Sequence, residues 1–169
     1  MMEYVWKYKT PVGFDDLLMS SDGEALMGLR FVNSLDEKKY CEETFEKYVP
    51  IFKETNDWLD YYFSGHPKEY LPKIKISDTT PFRREVIDCM MSIPYGKTVT
   101  YGEIASKIAE KRGIKKMSAQ AVGGAVGWNP ICIMIPCHRV IGSDGSLTGY
   151  GGGVENKRML LIHERAIII

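Results

Sequence analysis

Apolar and polar positions change period along the chain. Residues 3–10, EYVWKYKT, alternate and are rich in aromatic residues, which predicts a strand. Residues 13–32, GFDDLLMSSDGEALMGLRFV, read as two further strands joined by a turn at Ser21-Asp22-Gly23. From about Glu42 to Phe63 aromatic residues recur at helical spacing, with Pro50 as a break or kink. The stretch from Ser64 to Phe82 is dense in proline and turn residues. It predicts a loop, a short strand near Ile74–Ile76 and a connection to a second domain.

The texture changes after Thr80. A Thr-Pro start and a face of Val86, Ile87, Met90 and Met91 predict one helix. TYGEIASKIAEKRG predicts another: Thr100 and Glu103 form a capping box, Ile104, Ala105 and Ile108 make the apolar stripe, and Gly113 ends it. A short helix starting at Ser118 follows, so the outline is helix, turn, helix. ICIMIP, residues 131–136, predicts a buried strand running into CHRVI, then comes the glycine-rich GSDGSLTGYGGG. The closing VENKRMLLIHE predicts an amphipathic helix with Met159, Leu160 and Leu161 inward.

Charge sharpens this division. The 22 basic and 22 acidic residues balance, but residues 1–80 hold 10 Lys and Arg against 15 Asp and Glu, and residues 81–169 hold 12 against 7. A basic second half points mildly towards a polyanion. Lys107, Lys111, Arg112, Lys115 and Lys116 surround the inter-helix turn, as DNA-backbone contacts require, although a solvated charged face has the same composition. The N-terminus lacks the apolar core of a signal peptide and no run is long enough to span a bilayer, so a cytoplasmic chain without a membrane partner is expected.

The four cysteines are then expected as free thiols. Cys41 and Cys89 fall in helical stretches and read as small buried hydrophobes. Cys137 is different, because it stands beside His138 and Arg139. Neighbours on an extended chain face opposite ways, so direct contact needs a sharp turn or a bridging water. A packed strand residue, a metal ligand in a C-x4-C-H set with Cys132 and His138, and a thiol-disulfide partner of Cys132 are the alternatives. No fourth ligand is evident, so no metal is expected. An activated nucleophile, with Glu164 orienting the imidazole, explains the residues best.

IPCHRVI, the preceding AVGGAVGWNP, the upstream IPYGKTVTYGEIA and the trailing GYGGGVENKRMLLIHE closely resemble the methylated-DNA–protein-cysteine methyltransferases. The resemblance runs from about Thr80 to Glu164. The first 78 residues resemble that family only in size and in a β-then-helix outline. It implies an α+β protein: an N-terminal domain over 1–78, with a small sheet, a helix and a ribonuclease H-like outline, and a mostly helical domain over 79–169 with a winged helix-turn-helix. The implied activity is direct-reversal DNA repair. O6-alkylguanine in double-stranded DNA gives its alkyl group irreversibly to Cys137, with O4-methylthymine as a second candidate substrate. No cofactor is implied, and the chain is expected to act as a monomer.

In that frame His138 acts through a water, oriented by Glu164, and Asn129 supports the turn. Tyr101 lies at the DNA backbone and assists protonation of the leaving guanine. Tyr150, Gly151 and Gly152 line the base pocket, Val140 receives the exocyclic amine, and Trp128 stands at the pocket rim, at the DNA or between subdomains. Thr100, Tyr101, Lys115, Lys116, Ser118, Ala119, Gln120, Ala121, Gly123 and Arg139 are the implied DNA contacts, on a recognition helix whose small residues suit a narrow groove. Gln120 stands where many members carry an arginine, and lacks its cation and stacking plane. Relatives that bind alkylguanine without accepting the group lack the cysteine, and a small-molecule cysteine enzyme would leave the basic helix pair without a purpose.

Overall fold

The computed structural model describes residues 2–39, 43–66, 69–147 and 149–167. Strands β1 (Glu3–Tyr8), β2 (Leu17–Ser21) and β3 (Leu26–Phe31) form an antiparallel meander. The turn at Ser21-Asp22-Gly23 forms where expected: Asp22 Oδ1 accepts the Glu24 and Ala25 amides, each at 3.0 Å, and Gly23 takes φ 104°. The sheet order is β3-β2-β1-β4, with β4 (Thr44–Glu46) parallel to β1.

That fourth strand corrects the helix expected from Glu42. The aromatic spacing runs across a boundary, because Pro50 opens helix α1 (Pro50–Phe63) at its first turn instead of kinking it. Helix α1 buries Ile51, Phe52, Thr55, Trp58, Leu59 and Tyr62 and packs on β3. Cys41 and Glu42 lie outside the described residues. The strand expected near Ile74–Ile76 is a single parallel bridge from Ile74 to Leu26.

Helix α2 (Pro81–Met91) starts on a Thr80 cap, with Thr80 Oγ1 accepting the Arg83 amide at 3.2 Å. Val86, Ile87 and Met90 are buried, but Met91 is 43% exposed and does not share their face. Strand β5 (Val99–Thr100) leads into helix α3 (Tyr101–Arg112), whose capping box is complete: Thr100 Oγ1 accepts the Glu103 amide at 3.1 Å, and Glu103 Oε2 accepts the Thr100 amide at 2.6 Å. Gly113 closes it at φ 66°. Helix α4 (Ala119–Gly127), capped by Ser118, packs against α2 and α3.

The ICIMIP run is not a strand. Ile131 makes one parallel bridge to Leu29, and then the chain folds back on itself through Ile133 at φ 67°. Asn129 holds this fold at both ends: its Nδ2 donates to Ile135 O at 2.8 Å and its Oδ1 accepts the Ile131 amide at 3.0 Å. Every residue from Pro130 to His138 is buried, so the apolar run reflects enclosure on all sides and carries no β period. A 3-10 turn over Cys137–Arg139 and strand β6 (Val140–Ile141), paired parallel to β5, follow. Helix α5 (Val154–His163) turns Asn156, Lys157, Leu160 and Leu161 inward, while Met159 is only half-buried. Among the described residues no helix is long and apolar enough to cross a membrane.

Candidate active site and nucleic-acid interface

Cys137 begins the 3-10 turn and is 5% exposed. Successive side chains on such a turn diverge by about 120°. The thiol therefore points towards Tyr150, with Sγ 3.7 Å from the Tyr150 hydroxyl, while the next ring points towards Glu164. His138 is fully buried, with Nε2 2.7 Å from Glu164 Oε1. An ionised carboxylate only accepts, so Nε2 carries the proton and Nδ1 keeps its lone pair. Among the described residues no protein group bonds that Nδ1.

Glu164, 2% exposed at the C-cap of α5, is the hub. Its Oε1 also accepts the Tyr62 hydroxyl at 2.8 Å and Arg139 Nη2 at 2.9 Å. Its Oε2 accepts Arg139 Nε at 2.8 Å and the Gly96 amide at 3.2 Å. Gly96 takes φ 75°, and a Cβ there would lie 2.9 Å from the Glu164 backbone carbonyl oxygen, so the IPYGKT turn packs tightly against this residue's main chain as well as bonding its carboxylate. Burial alone would raise the Glu164 pKa, but hydrogen bonds and charge from His138 and Arg139 hold it well below the ordinary range. The Arg139 fork cannot lose its proton and is sufficient to keep Glu164 ionised. Burial lowers the His138 pKa, with Arg139 and Lys157 adding to the fall and Glu164 opposing it, so the ring is neutral at pH 7.

Burial raises the Cys137 pKa, and Asp36 adds to the rise. Asn129, Tyr150 and Lys157 oppose it. The resting site thus holds a thiol, and a base is needed to remove its proton. Lys157 was not foreseen. It is fully buried, its Nζ donates to Val140 O at 2.6 Å, and it sits 5.4 Å from the Tyr150 ring centre and 5.9 Å from that of Tyr101. Its spacing from Leu160 and Leu161 put it on the inner face of α5, which was the available signal. Asp36 and Tyr62 come from the first half and carried no local signal.

The residues of this centre coincide with a recognised sequence pattern. Residues 81–166 match the model of the 6-O-methylguanine DNA methyltransferase DNA-binding domain. A methylated-DNA–protein-cysteine methyltransferase of Methanosarcina acetivorans is 38% identical over 91% of this chain and 93% of its own. The chain belongs to this methyltransferase family. A Haemophilus influenzae member is 36% identical over 96% of this chain and 86% of its own. The crystal structure of Mycobacterium tuberculosis OGT in complex with DNA superposes with a TM-score of 0.79 at 35% identity, covering 98% of this chain and 93% of that one. The α+β arrangement of a small sheet with helices is the one this chain shares with that structure.

In this family member, α4 exposes Ala119, Gln120, Ala121 and Gly124 and buries Val122, Ala125 and Val126. A cleft of about 570 Å³ is lined by Tyr101, Ala119, Gln120, Gly123, Ser143 and Gly149, among others. Tyr101 lines it while burial, its largest influence, raises its own pKa, and the same ring lies 5.9 Å from Lys157 Nζ. Lys115 and Lys116 edge a second groove beside α3. Ser118 and Thr100 both spend their hydroxyls on helix caps. Arg112 is drawn away to Glu85, with Nη2 at 2.6 Å from Oε2.

One sequence expectation is placed differently, and two others gain detail. Arg139, expected on DNA, faces inward to Glu164 and donates Nη1 to Ile93 O at 2.8 Å. Of the three places open to Trp128, the structure shows the one between subdomains: it carries the Arg83 guanidinium 4.3 Å from its ring centre and lines a cavity with Arg30, Met27 and Pro130, at the seam with the sheet. Val140 O, the expected acceptor of the exocyclic amine, has one of its two lone pairs engaged by Lys157 and keeps the other. Gly152 packs where a Cβ would come 2.9 Å from the Tyr150 ring and 3.1 Å from Phe31, and a Cβ on Gly151 would strike the Asp36 carboxylate.

Proposed function

We propose that the chain repairs DNA by direct reversal, moving a methyl or other alkyl group from O6 of guanine in double-stranded DNA irreversibly to Cys137 Sγ. The observation that carries this is the His138 ring, fully buried, with Nε2 fixed on Glu164 and Nδ1 left open beside the only 3-10 turn that presents a thiol among the described residues. The family membership and the DNA complex of the M. tuberculosis relative support the choice of substrate.

The reaction balances as an in-line displacement. Sγ forms a bond to the alkyl carbon as the carbon–O6 bond breaks. The thiol proton leaves through a water to His138 Nδ1, and the resulting imidazolium is stabilised by Glu164. The leaving guanine takes a proton with help from Tyr101. The alkylated carbon is hidden in the base stack, so the nucleotide must be extruded, at about a few kcal/mol. Gln120 occupies the gap and the α4 surface lies in the minor groove, with α3, α4 and the β5–β6 pair read as a winged helix-turn-helix. Tyr150, Gly151 and Gly152 wall the base pocket. The boundary near residue 78 and a ribonuclease H-like first domain belong to the same reading, as does a cytoplasmic monomer. A thioether has no ready leaving group here, so each molecule acts once.

Incubation with a duplex holding one O6-methylguanine tests this by mass. A single methyl on Cys137, absent in Cys137→Ala, is the expected result. Tight binding without any mass change would make the chain a damage sensor instead.

A further inference from the structure

We infer that Tyr62 is a positioning residue for alkyl transfer, and that through it the first half of the chain sets the protonation of the base. This rests on the function proposed above. Tyr62 lies on α1, is 2% exposed, and its hydroxyl donates to Glu164 Oε1 at 2.8 Å across 102 residues of sequence. The grip is double, because Tyr62 O also lies 2.9 Å from His163 Nε2, on the preceding residue of the same helix end. Its ring is fixed by a stack on Trp58 at 5.6 Å and by edge contacts to Phe63 and Tyr95 at 5.2 and 6.1 Å.

Oε1 divides its negative charge among three donors: His138 Nε2, Tyr62 and Arg139. Each added donor weakens the oxygen as an acceptor for the others. With Tyr62 in place Glu164 attracts the imidazolium less strongly, and His138 stays a neutral base to lower pH. The charged and titratable groups around His138 are Lys157 from α5 and Glu164 at its C-cap, Cys137 and Arg139 from its own turn, Tyr62 from α1 and, beyond Glu164, Tyr95. Among the described residues, only Tyr62 of these belongs to the first half.

Tyr62→Phe removes the donor and keeps the ring contacts. The sign follows: Glu164 then stabilises the imidazolium more strongly, the His138 pKa rises, and the acid limb of the transfer rate moves to higher pH. A displacement of at least about half a unit is expected for the loss of one hydrogen bond to a charged group. Tyr8→Phe is the control, because Tyr8 donates to Asp60 on the same helix at 2.7 Å without touching Glu164. Replacement of Tyr62 by 3,5-difluorotyrosine, a stronger donor of similar shape, should move the limb to lower pH.

The measurements are a single-turnover pH–rate profile on O6-methylguanine duplex and an NMR titration of the His138 ring in the DNA-free protein. Opposite displacements for Phe and difluorotyrosine, with Tyr8→Phe matching wild type, support the inference. Superimposable profiles, or an equal displacement in Tyr8→Phe, overturn it. The NMR titration needs no transfer. A wild type that never gains a methyl therefore sinks the proposed function, while the ring titration still judges Tyr62.

Discussion

A buried ammonium shows how single residues tune the thiol. Lys157 is held by the Val140 carbonyl and flanked by two tyrosine rings, and burial lowers its pKa while the Cys137 charge opposes that fall. Replacing it with methionine of similar length removes a cation that lowers the Cys137 pKa. The thiolate formed during transfer would lose a buried positive charge that favours it, so a fall in the single-turnover rate of about 10- to 100-fold is expected, at about 1.4 kcal/mol per factor of ten. Stability should change little, because relief of the buried ammonium offsets the unpaired carbonyl, which costs about 1–3 kcal/mol. A Lys157→Met protein that transfers at the wild-type rate would remove Lys157 from the mechanism. The raised thiol pKa has a separate consequence. Cys137 should react slowly with iodoacetamide at neutral pH and faster as pH climbs, since only then does thiolate form.

Helix ends and turns account for most of what the sequence disclosed at the scale of elements. The Thr80, Thr100 and Ser118 caps, the Gly113 stop and the Asp22 turn act through neighbours a few residues away, so they were readable in one dimension. ICIMIP was not, because a run enclosed on every side has no period to read, and its fold depends on the Asn129 side chain. The aromatic stretch before Pro50 misled for a related reason: Phe45 and Tyr48 are exposed residues of an edge strand and its exit, at a spacing that merely continues the helix that follows. Gly151 and Gly152 of the GYGGG segment permit close packing by lacking a side chain. Gly152→Ala would force the Tyr150 and Phe31 rings apart, so a loss of about 1–3 kcal/mol in urea unfolding is expected, together with slower transfer. Helix α4 carries its own expectation. Gln120→Ala should slow repair of duplex DNA yet leave transfer from free O6-methylguanine base unchanged, and equal duplex rates would end the insertion role for Gln120.

The whole molecule is joined at Glu164, where α1, the Pro94–Gly96 turn, the 3-10 turn and α5 meet. None of these partners except Arg139 and His138 lies near another in sequence, so the cluster was only partly legible: the carboxylate and imidazole were, while Tyr62 and the inward Arg139 were not. Folding therefore carries two proton-linked contributions with separate windows. His138 is depressed in the folded state, so its contribution is complete above the unfolded value of about 6.5 and is lost as pH falls from there towards the folded value. Glu164 is also depressed, so its contribution is complete above about 4.3 and fades only below that. Urea midpoints should accordingly fall in two stages on acidification. His138→Gln keeps an amide donor towards Glu164 but cannot titrate in this range. Its midpoint should be nearly flat between about pH 6.5 and 4.5, while the later fall persists. A His138→Gln protein with the wild-type slope in the upper window would show that other groups govern it, and would dissociate the stability of the molecule from the base that serves its thiol.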